Sequence, residues 1–170
     1  QLRKLFAVKS VHTIRNYISY LEQAYIVLTL ERFSFKLKEQ ALAPKKSYCV
    51  DTGIAKAIGF QTSEDRGRIL ENIVAVELWR TGSDMFYWKD HQQREVDFVI
   101  KKGRKVDQLI QVCADVSHVA TKEREIKSLI SASKELRCST LTIITEDYSR
   151  EETITGKKIK LIPLWKWLLG

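Results

Sequence analysis

The spacing of apolar residues changes character at Gly82, and that switch constrains the fold more than any other feature. Before it, Leu70, Ile73, Val74, Glu77 and Leu78 recur at helical spacing across Arg66 to Thr81, and Gly82 closes the segment. After it, the period is that of strands: Met85 to Trp88, Glu95 to Ile100 and Leu109 to Cys113 are short apolar or alternating runs. The turn-rich Lys101-Lys102-Gly103-Arg104 separates the last two, so the three read as an antiparallel meander. Lys122 to Leu136 returns to helical spacing through Ile126, Leu129, Ile130 and Ser133. Thr140 to Thr145 and Ile159 to Ile162 are then strands, and Leu164 to Leu169 is a terminal helix after Pro163. Helix, three strands, helix, strand predicts an α/β fold with a mixed sheet flanked by helices.

The N-terminal part reads differently. Ile14, Tyr17, Ile18, Leu21 and Ala24 form one face of a helix that Thr13 is placed to cap. Tyr25 to Leu30 follows as a strand, and Phe33 to Lys38 alternates with period two as its hairpin partner. This is the order of the second half of a winged helix, whose early helices have only Leu2 to Phe6 to supply them. Pro44 breaks the chain, Ser47 to Val50 is a short strand, and Asp51 caps a helix from Thr52 to Ile58 that Gly59 ends. Ser63 or Asp65 opens the next helix, which sets the expected division at a winged-helix-like segment and connector, 1–59, and a second domain, 60–170.

Charge follows the same division. Of the net +8, residues 1–50 carry +6, from nine Lys and Arg, including Arg3, Lys4 and Lys9, against three acids. A field this local suits a polyanion at the N-terminal part, with DNA as the candidate partner. Arg15, Asn16 and Ser19 on the exposed helix face, with Lys36 and Lys38 beyond it, are the candidate nucleic-acid contacts, although Glu22 shares that face.

No apolar run approaches the roughly 20 residues of a bilayer span, so no membrane partner is expected. Cys49, Cys113 and Cys138 are odd in number and lack C-x-x-C spacing, and His12, His91 and His118 form no helical ligand pair. A reduced, cytoplasmic setting without a zinc site is the expectation. The chain starts at Gln1 without the pattern of a secretory signal, which reads as a cut end with sequence missing upstream. Trp79, Trp88, Trp165 and Trp167 read as core or interface anchors.

The chemistry is concentrated on the second strand of the meander. By strict alternation Glu95, Asp97 and Val99 share one face, and hairpin pairing puts Asp97 near Gln111 and Cys113, with Glu71 reaching in from the preceding helix. Converging carboxylates of this kind hold Mg²⁺, which lowers the pKa of a bound water and makes it a nucleophile.

Leu70-Glu71-Asn72-Ile73-Val74, Glu77-Leu78, Tyr87-Trp88, Glu95-Val96-Asp97-Phe98-Val99-Ile100, Ile110-Gln111-Val112, Ile143-Ile144-Thr145 and Pro163-Leu164-Trp165 together resemble the C-terminal domain of unknown function of prokaryotic AAA-type ATPases. The resemblance takes in Thr13 to Leu28 and Lys46 to Gly53 as well. It implies a P-loop ATPase domain upstream, both the site of any ATP and a partner for this chain, followed by a winged-helix-like segment and a restriction-endonuclease-like domain of the PD-(D/E)xK type. In that pattern Glu71 and Asp97 match the helix and strand acids. Gln111 stands where Glu is expected and Cys113 where Lys is expected, and Lys105, Lys122 or Lys127 are the candidates for the missing ammonium.

Catalytic positions Glu71, Asp97 and Gln111 therefore read as degenerate, with Glu71 and Asp97 the metal ligands and Mg²⁺ the cofactor only if the site is active. Thr155-Gly156-Lys157-Lys158 lacks the first glycine of a phosphate-binding loop, so this chain is not expected to hydrolyse ATP. Three readings stay open: a nucleic-acid-binding module with a degenerate nuclease-like site, an active metal-dependent DNA endonuclease, and a protein-directed regulatory domain of the ATPase. Glu71 and Asp97 can also be purely structural, one of them capping or pairing with Arg94 or Arg68.

Overall fold

The computed structural model describes residues 10–58 and 65–170. The expectations for Leu2 to Phe6, Arg3, Lys4, Lys9, Gly59 and Ser63 lie outside those residues.

The first helix, α1 (Val11–Gln23), is capped by Ser10, whose Oγ accepts the His12 amide at 3.1 Å; Thr13 is already inside it. Strand β1 (Val27–Leu30) follows, but its partner is not Phe33 to Lys38. Glu31 and Phe33 instead bond to the backbone of Tyr87, and Ser34 Oγ accepts the Lys36 amide. Helix α2 (Leu37–Leu42) then begins, with Glu39 in its first turn bonded to both Ser34 and Lys36. Local side-chain hydrogen bonding at a helix start outweighs a weak alternating pattern, whose only strand pairing among the described residues is a single parallel bridge of Arg32 to Tyr87. The partner of β1 is β2 (Lys46–Cys49), antiparallel with Leu28 opposite Tyr48 and Leu30 opposite Lys46. Helix α3 (Thr52–Ile58) is led by Asp51, whose Oδ1 accepts the Gly53 and Ile54 amides.

Helix α4 (Asp65–Arg80) leads into β3 (Asp84–Lys89), β4 (Glu95–Lys102) and β5 (Lys105–Val112), an antiparallel meander. Helix α5 (Val119–Leu136), β6 (Leu141–Thr145), β7 (Arg150–Ile154), β8 (Lys157–Pro163) and α6 (Leu164–Leu169) complete the chain. The sheet is mixed and six-stranded, in the order β3-β4-β5-β6-β8-β7, with β5–β6 and β6–β8 parallel. Periodicity does not announce β7, because Arg150-Glu151-Glu152 gives an edge strand no apolar alternation. Its turn to β8 is Thr155-Gly156, both at positive φ as a two-residue hairpin demands.

Two apolar layers sandwich the sheet. On one side Ile126, Leu129, Ala132 and Leu136 of α5 pack on Val96, Val99, Leu109, Ile143 and Leu161. On the other Val74, Ala75 and Leu78 of α4 pack on Phe98, Ile110, Ile144 and Ile162, and here Leu28, Leu30 and Tyr48 of the β1–β2 pair enter the same cluster. Among the tryptophans, Trp88 is buried and Trp167 packs partly on the α4 layer, whereas Trp79 and Trp165 are exposed. No described helix is long and apolar enough to cross a membrane.

Candidate functional site

Strict alternation fails on β4. Phe86 pairs with Val99 and Trp88 with Val96, so two steps along β3 span three along β4, and the extra residue is a β-bulge at Asp97-Phe98. Val96 and Val99 both enter the α5 layer, while Phe98 enters the α4 layer and Asp97 turns with it toward α4. The expected sharing of a face by Asp97 and Val99, and by Asp97 with Gln111 and Cys113, is thereby overturned: Cys113 lies in the α5 layer and Gln111 points to Glu125 of α5.

The bulge leaves backbone groups that side chains satisfy. The Asp97 amide donates to Gln111 Oε1 at 3.2 Å, and the Val112 amide donates to Asp97 Oδ2 at 3.0 Å, where the regular β4–β5 ladder has stopped. Gln111 Nε2 donates to Glu125 Oε2 at 2.7 Å, and Arg124 holds the other oxygen of Glu125. Gln111 is thus a buried link between β4, β5 and α5, with donor and acceptor both used.

Around the remaining oxygen of Asp97 three carboxylates converge on one ammonium. Lys46 Nζ lies 2.9 Å from Asp97 Oδ1, 2.9 Å from Glu71 Oε1 and 2.7 Å from Glu95 Oε1. Tyr48, two residues along β2 and therefore on the same face, donates its hydroxyl to Glu71 Oε1 at 2.7 Å. Lys89 takes the other oxygen of Glu95 at 3.1 Å. Beside them Asn72 donates to Cys49 O at 2.7 Å and accepts from Cys49 N at 2.9 Å, pairing with the end of β2 as a neighbouring strand would. The Leu70-Glu71-Asn72 and Glu95-Val96-Asp97 motifs thus grip β2 together.

Burial disfavours charge on Lys46, but Asp97, Glu71 and Glu95 outweigh it and hold the ammonium above the ordinary lysine range. Burial pushes the Asp97 carboxyl up to about 7, opposed by Lys46 and reinforced by Glu71. Glu95, also penalised by burial, is nevertheless lowered by Lys46 and Lys89. Burial and then Glu71 raise the Tyr48 hydroxyl, which stays protonated as a donor. The Cys113 thiol is pushed up to about 11 by burial and by Glu125 and Asp115, so it is not a nucleophile at neutral pH.

The structure brings Glu71 and Asp97 together and leaves the Gln111 side chain on the other side of the sheet. Lys122 is bonded to Glu152, Lys127 faces Glu123 on its own helix, and Lys105 lies at the far end of β5, so none of these is the cation beside Asp97. Arg94 pairs with Asp90. Glu95 stays on the face of Asp97 as alternation predicts, whereas sequence reasoning missed Lys46, Tyr48 and Asn72 as members of the cluster. The available signal was Lys46 and Tyr48 at i and i+2 in a strand beside the matched motif stretch. Mg²⁺ does not fit this arrangement, because an ammonium stands where the oxygens converge. Among the described residues no group of three His, Cys, Asp or Glu side chains is arranged to hold a metal. Arg15 is exposed on α1, Asn16 and Ser19 are partly covered, and Lys36 and Lys38 are exposed at the start of α2, Lys36 in a pair with Glu39.

An uncharacterized protein of Methanocaldococcus jannaschii is 36% identical over 179 residues, covering 99% of this chain and 39% of that protein. One from Haemophilus influenzae is 28% identical over 163 residues, 94% of this chain and 38% of that protein. The chain therefore spans about two fifths of the length of these curated relatives. Among solved structures, the refined half-complex from the tetradecameric assembly of Thermococcus gammatolerans McrB AAA+ hexamers with bound McrC is similar at 11% identity. It covers 57% of this chain and 27% of that one with a TM-score of 0.38, too distant to argue from. Residues 2–65 match a domain of unknown function (DUF8612). Residues 66–167, which hold Glu71, Glu95, Asp97 and Gln111, match the domain of unknown function DUF4143, and the chain belongs to that family.

Proposed function

We propose that this chain is a non-catalytic, nuclease-like module of a longer AAA-type ATPase, contacting DNA through its basic N-terminal part. The observation that carries the reading is Lys46 among Glu71, Glu95 and Asp97. Hydrolysis of a phosphodiester in a PD-(D/E)xK site needs a divalent ion to polarise the phosphoryl oxygen and generate hydroxide. An ammonium neutralises the carboxylates but is no Lewis acid, and a protonated Cys113 turned to the other layer offers no cation to the attacking water.

The order α4, β3-β4-β5, α5, β6 supports a restriction-endonuclease-like architecture, and α1 followed by the antiparallel β1–β2 pair, with α2 between its strands, supports a winged-helix-like unit. The relatives are more than twice as long as this chain, which leaves room in such proteins for an ATPase domain. Exposed Arg15, Lys36 and Lys38, with Asn16 and Ser19 beside Arg15, are the proposed duplex contacts.

Two measurements test this. Supercoiled plasmid incubated with the protein and Mg²⁺ or Mn²⁺ is expected to stay uncut. Nicking that Asp97→Ala abolishes would overturn the non-catalytic reading. In a salt titration with an unrelated duplex, affinity is expected to fall steeply as phosphate counterions are released, and Arg15→Glu with Lys38→Glu to flatten the slope by about two. No binding at low salt, or a slope indifferent to these charges, would overturn the duplex contact.

A further inference from the structure

The β4–β5 turn gathers Lys101, Lys102, Arg104 and Lys105 around Gly103, whose φ of +64 the turn requires. It stands beside a cavity of about 590 Å³ whose wall includes Phe33, Phe35, Arg104, Lys105, Glu135 and Arg137. The cavity has an aromatic floor: Phe33 meets Phe35 edge to face at 5.2 Å between centroids and Phe86 at 5.9 Å. Lys101 Nζ sits 5.3 Å from the Phe86 ring centre. The Phe33 amide donates to the Tyr87 carbonyl and its ring packs on the α5 layer as a fixed base, whereas Phe35 is 76% exposed and presents an open face. Three cations and one acid line the cavity, and among the described residues Arg104, Lys105 and Arg137 have no ion-pair partner.

We infer that this cavity binds single-stranded nucleic acid, one base stacking on Phe35 while the flanking phosphates meet Arg104, Lys105 and Arg137. The surface couples an open π-face with unneutralised cations, the two things an unpaired strand presents in complement and an acidic peptide does not. A duplex keeps its bases stacked on one another and offers only phosphates. The cavity volume is that of a small-ligand pocket, enough for a nucleotide or two. Phe35 adjoins Lys36 in the chain, but Lys36, Lys38 and Arg15 do not line this cavity, and the inference does not rest on duplex binding through them.

The test is fluorescence anisotropy of the whole chain with a labelled oligothymidylate of about ten nucleotides, an abasic strand of equal length and charge, and the matching duplex. The oligothymidylate is expected to bind about tenfold more tightly than the abasic strand. Phe35→Ala is expected to erase that difference, Phe35→Trp to keep it, and neither change to alter duplex binding. Arg104→Glu with Lys105→Glu should weaken both strands and lower the magnitude of the single-strand salt slope by about 1.4, at roughly 0.7 per phosphate contact. Phe35 is exposed, so circular dichroism of Phe35→Ala should match the parent. Equal affinity for the abasic strand, or the same loss on duplex and single strand when Phe35 is removed, would overturn the inference. Loss of duplex binding in Arg15→Glu with the oligothymidylate unaffected separates this site from the Arg15 face of α1.

Discussion

Lys46→Met is expected to lower the stability of the fold by about 3–5 kcal/mol at pH 8 in urea unfolding, because it leaves Glu71, Glu95 and Asp97 half-buried or buried without their shared counter-ion. Methionine keeps most of the volume, so the loss reports charge rather than a cavity. The deficit is expected to shrink toward pH 5. Lys46 itself, with its pKa raised, contributes fully at any pH below the ordinary lysine value near 10.5, and so adds no slope between pH 5 and 8.

The slope comes from the carboxylates. Asp97 has a folded value of about 7 against 3.8 unfolded, so its stabilising contribution is complete below 3.8 and is lost as pH rises through 7. Without the ammonium that opposes this shift, the Asp97 value rises further and the native state holds a proton there that the unfolded state does not. Asp97→Asn in the Lys46→Met background should recover part of the stability at pH 8 and flatten the profile. A Lys46→Met deficit below about 1 kcal/mol, or one that grows as pH falls, would show that the cluster is not held by this ammonium.

Gln111→Glu is expected to destabilise by about 3 kcal/mol near neutral pH, although a family-based reading makes it the restoring change. The new carboxylate meets Glu125 Oε2 at the 2.7 Å now spanned by an amide donor, inside the protein and with Arg124 engaged on the far oxygen only. Adding the partner change Glu125→Gln exchanges donor and acceptor across this contact. The carboxylate introduced on β5 still accepts the Asp97 amide and now also accepts from the side-chain amide introduced on α5. The double variant is therefore expected to regain most of the loss, a coupling of about 2 kcal/mol in the cycle. Melting temperatures of the four proteins measure it. For the same geometric reason Gln111→Glu with Cys113→Lys is expected to cut no DNA, since both side chains lie across the sheet from Glu71. A Gln111→Glu protein as stable as its parent, with no recovery in the double variant, would place Gln111 elsewhere than against Glu125.

Residues whose spacing repeats along the chain are legible in the sequence alone. Leu70 to Leu78 and Ile126 to Ser133 each expose one stripe per turn, and the β4–β5 hairpin is marked by apolar runs around Gly103, so α4, α5 and the meander follow from local periodicity and turn chemistry. The same logic misses β7, because an edge strand of Arg and Glu buries little and carries no stripe, and it misplaces Phe33 to Lys38, where a helix start held by Ser34 and Glu39 competes with an alternating pattern.

The candidate site is where locality fails altogether. Glu71 and Asp97 stand out as a pair of motif acids, yet their partner is 51 residues before Asp97, on a strand from the N-terminal part. One inserted residue at Asp97-Phe98 turns Asp97 to the α4 side and leaves Gln111 on the α5 side, and no period-two argument can detect a bulge. Residue identities thus determine which charges exist and which helices and strands form. Which acid meets Lys46 and which meets Gln111 depends on how β2 docks across α4 and on a one-residue shift in β4, set by packing between segments far apart in the chain.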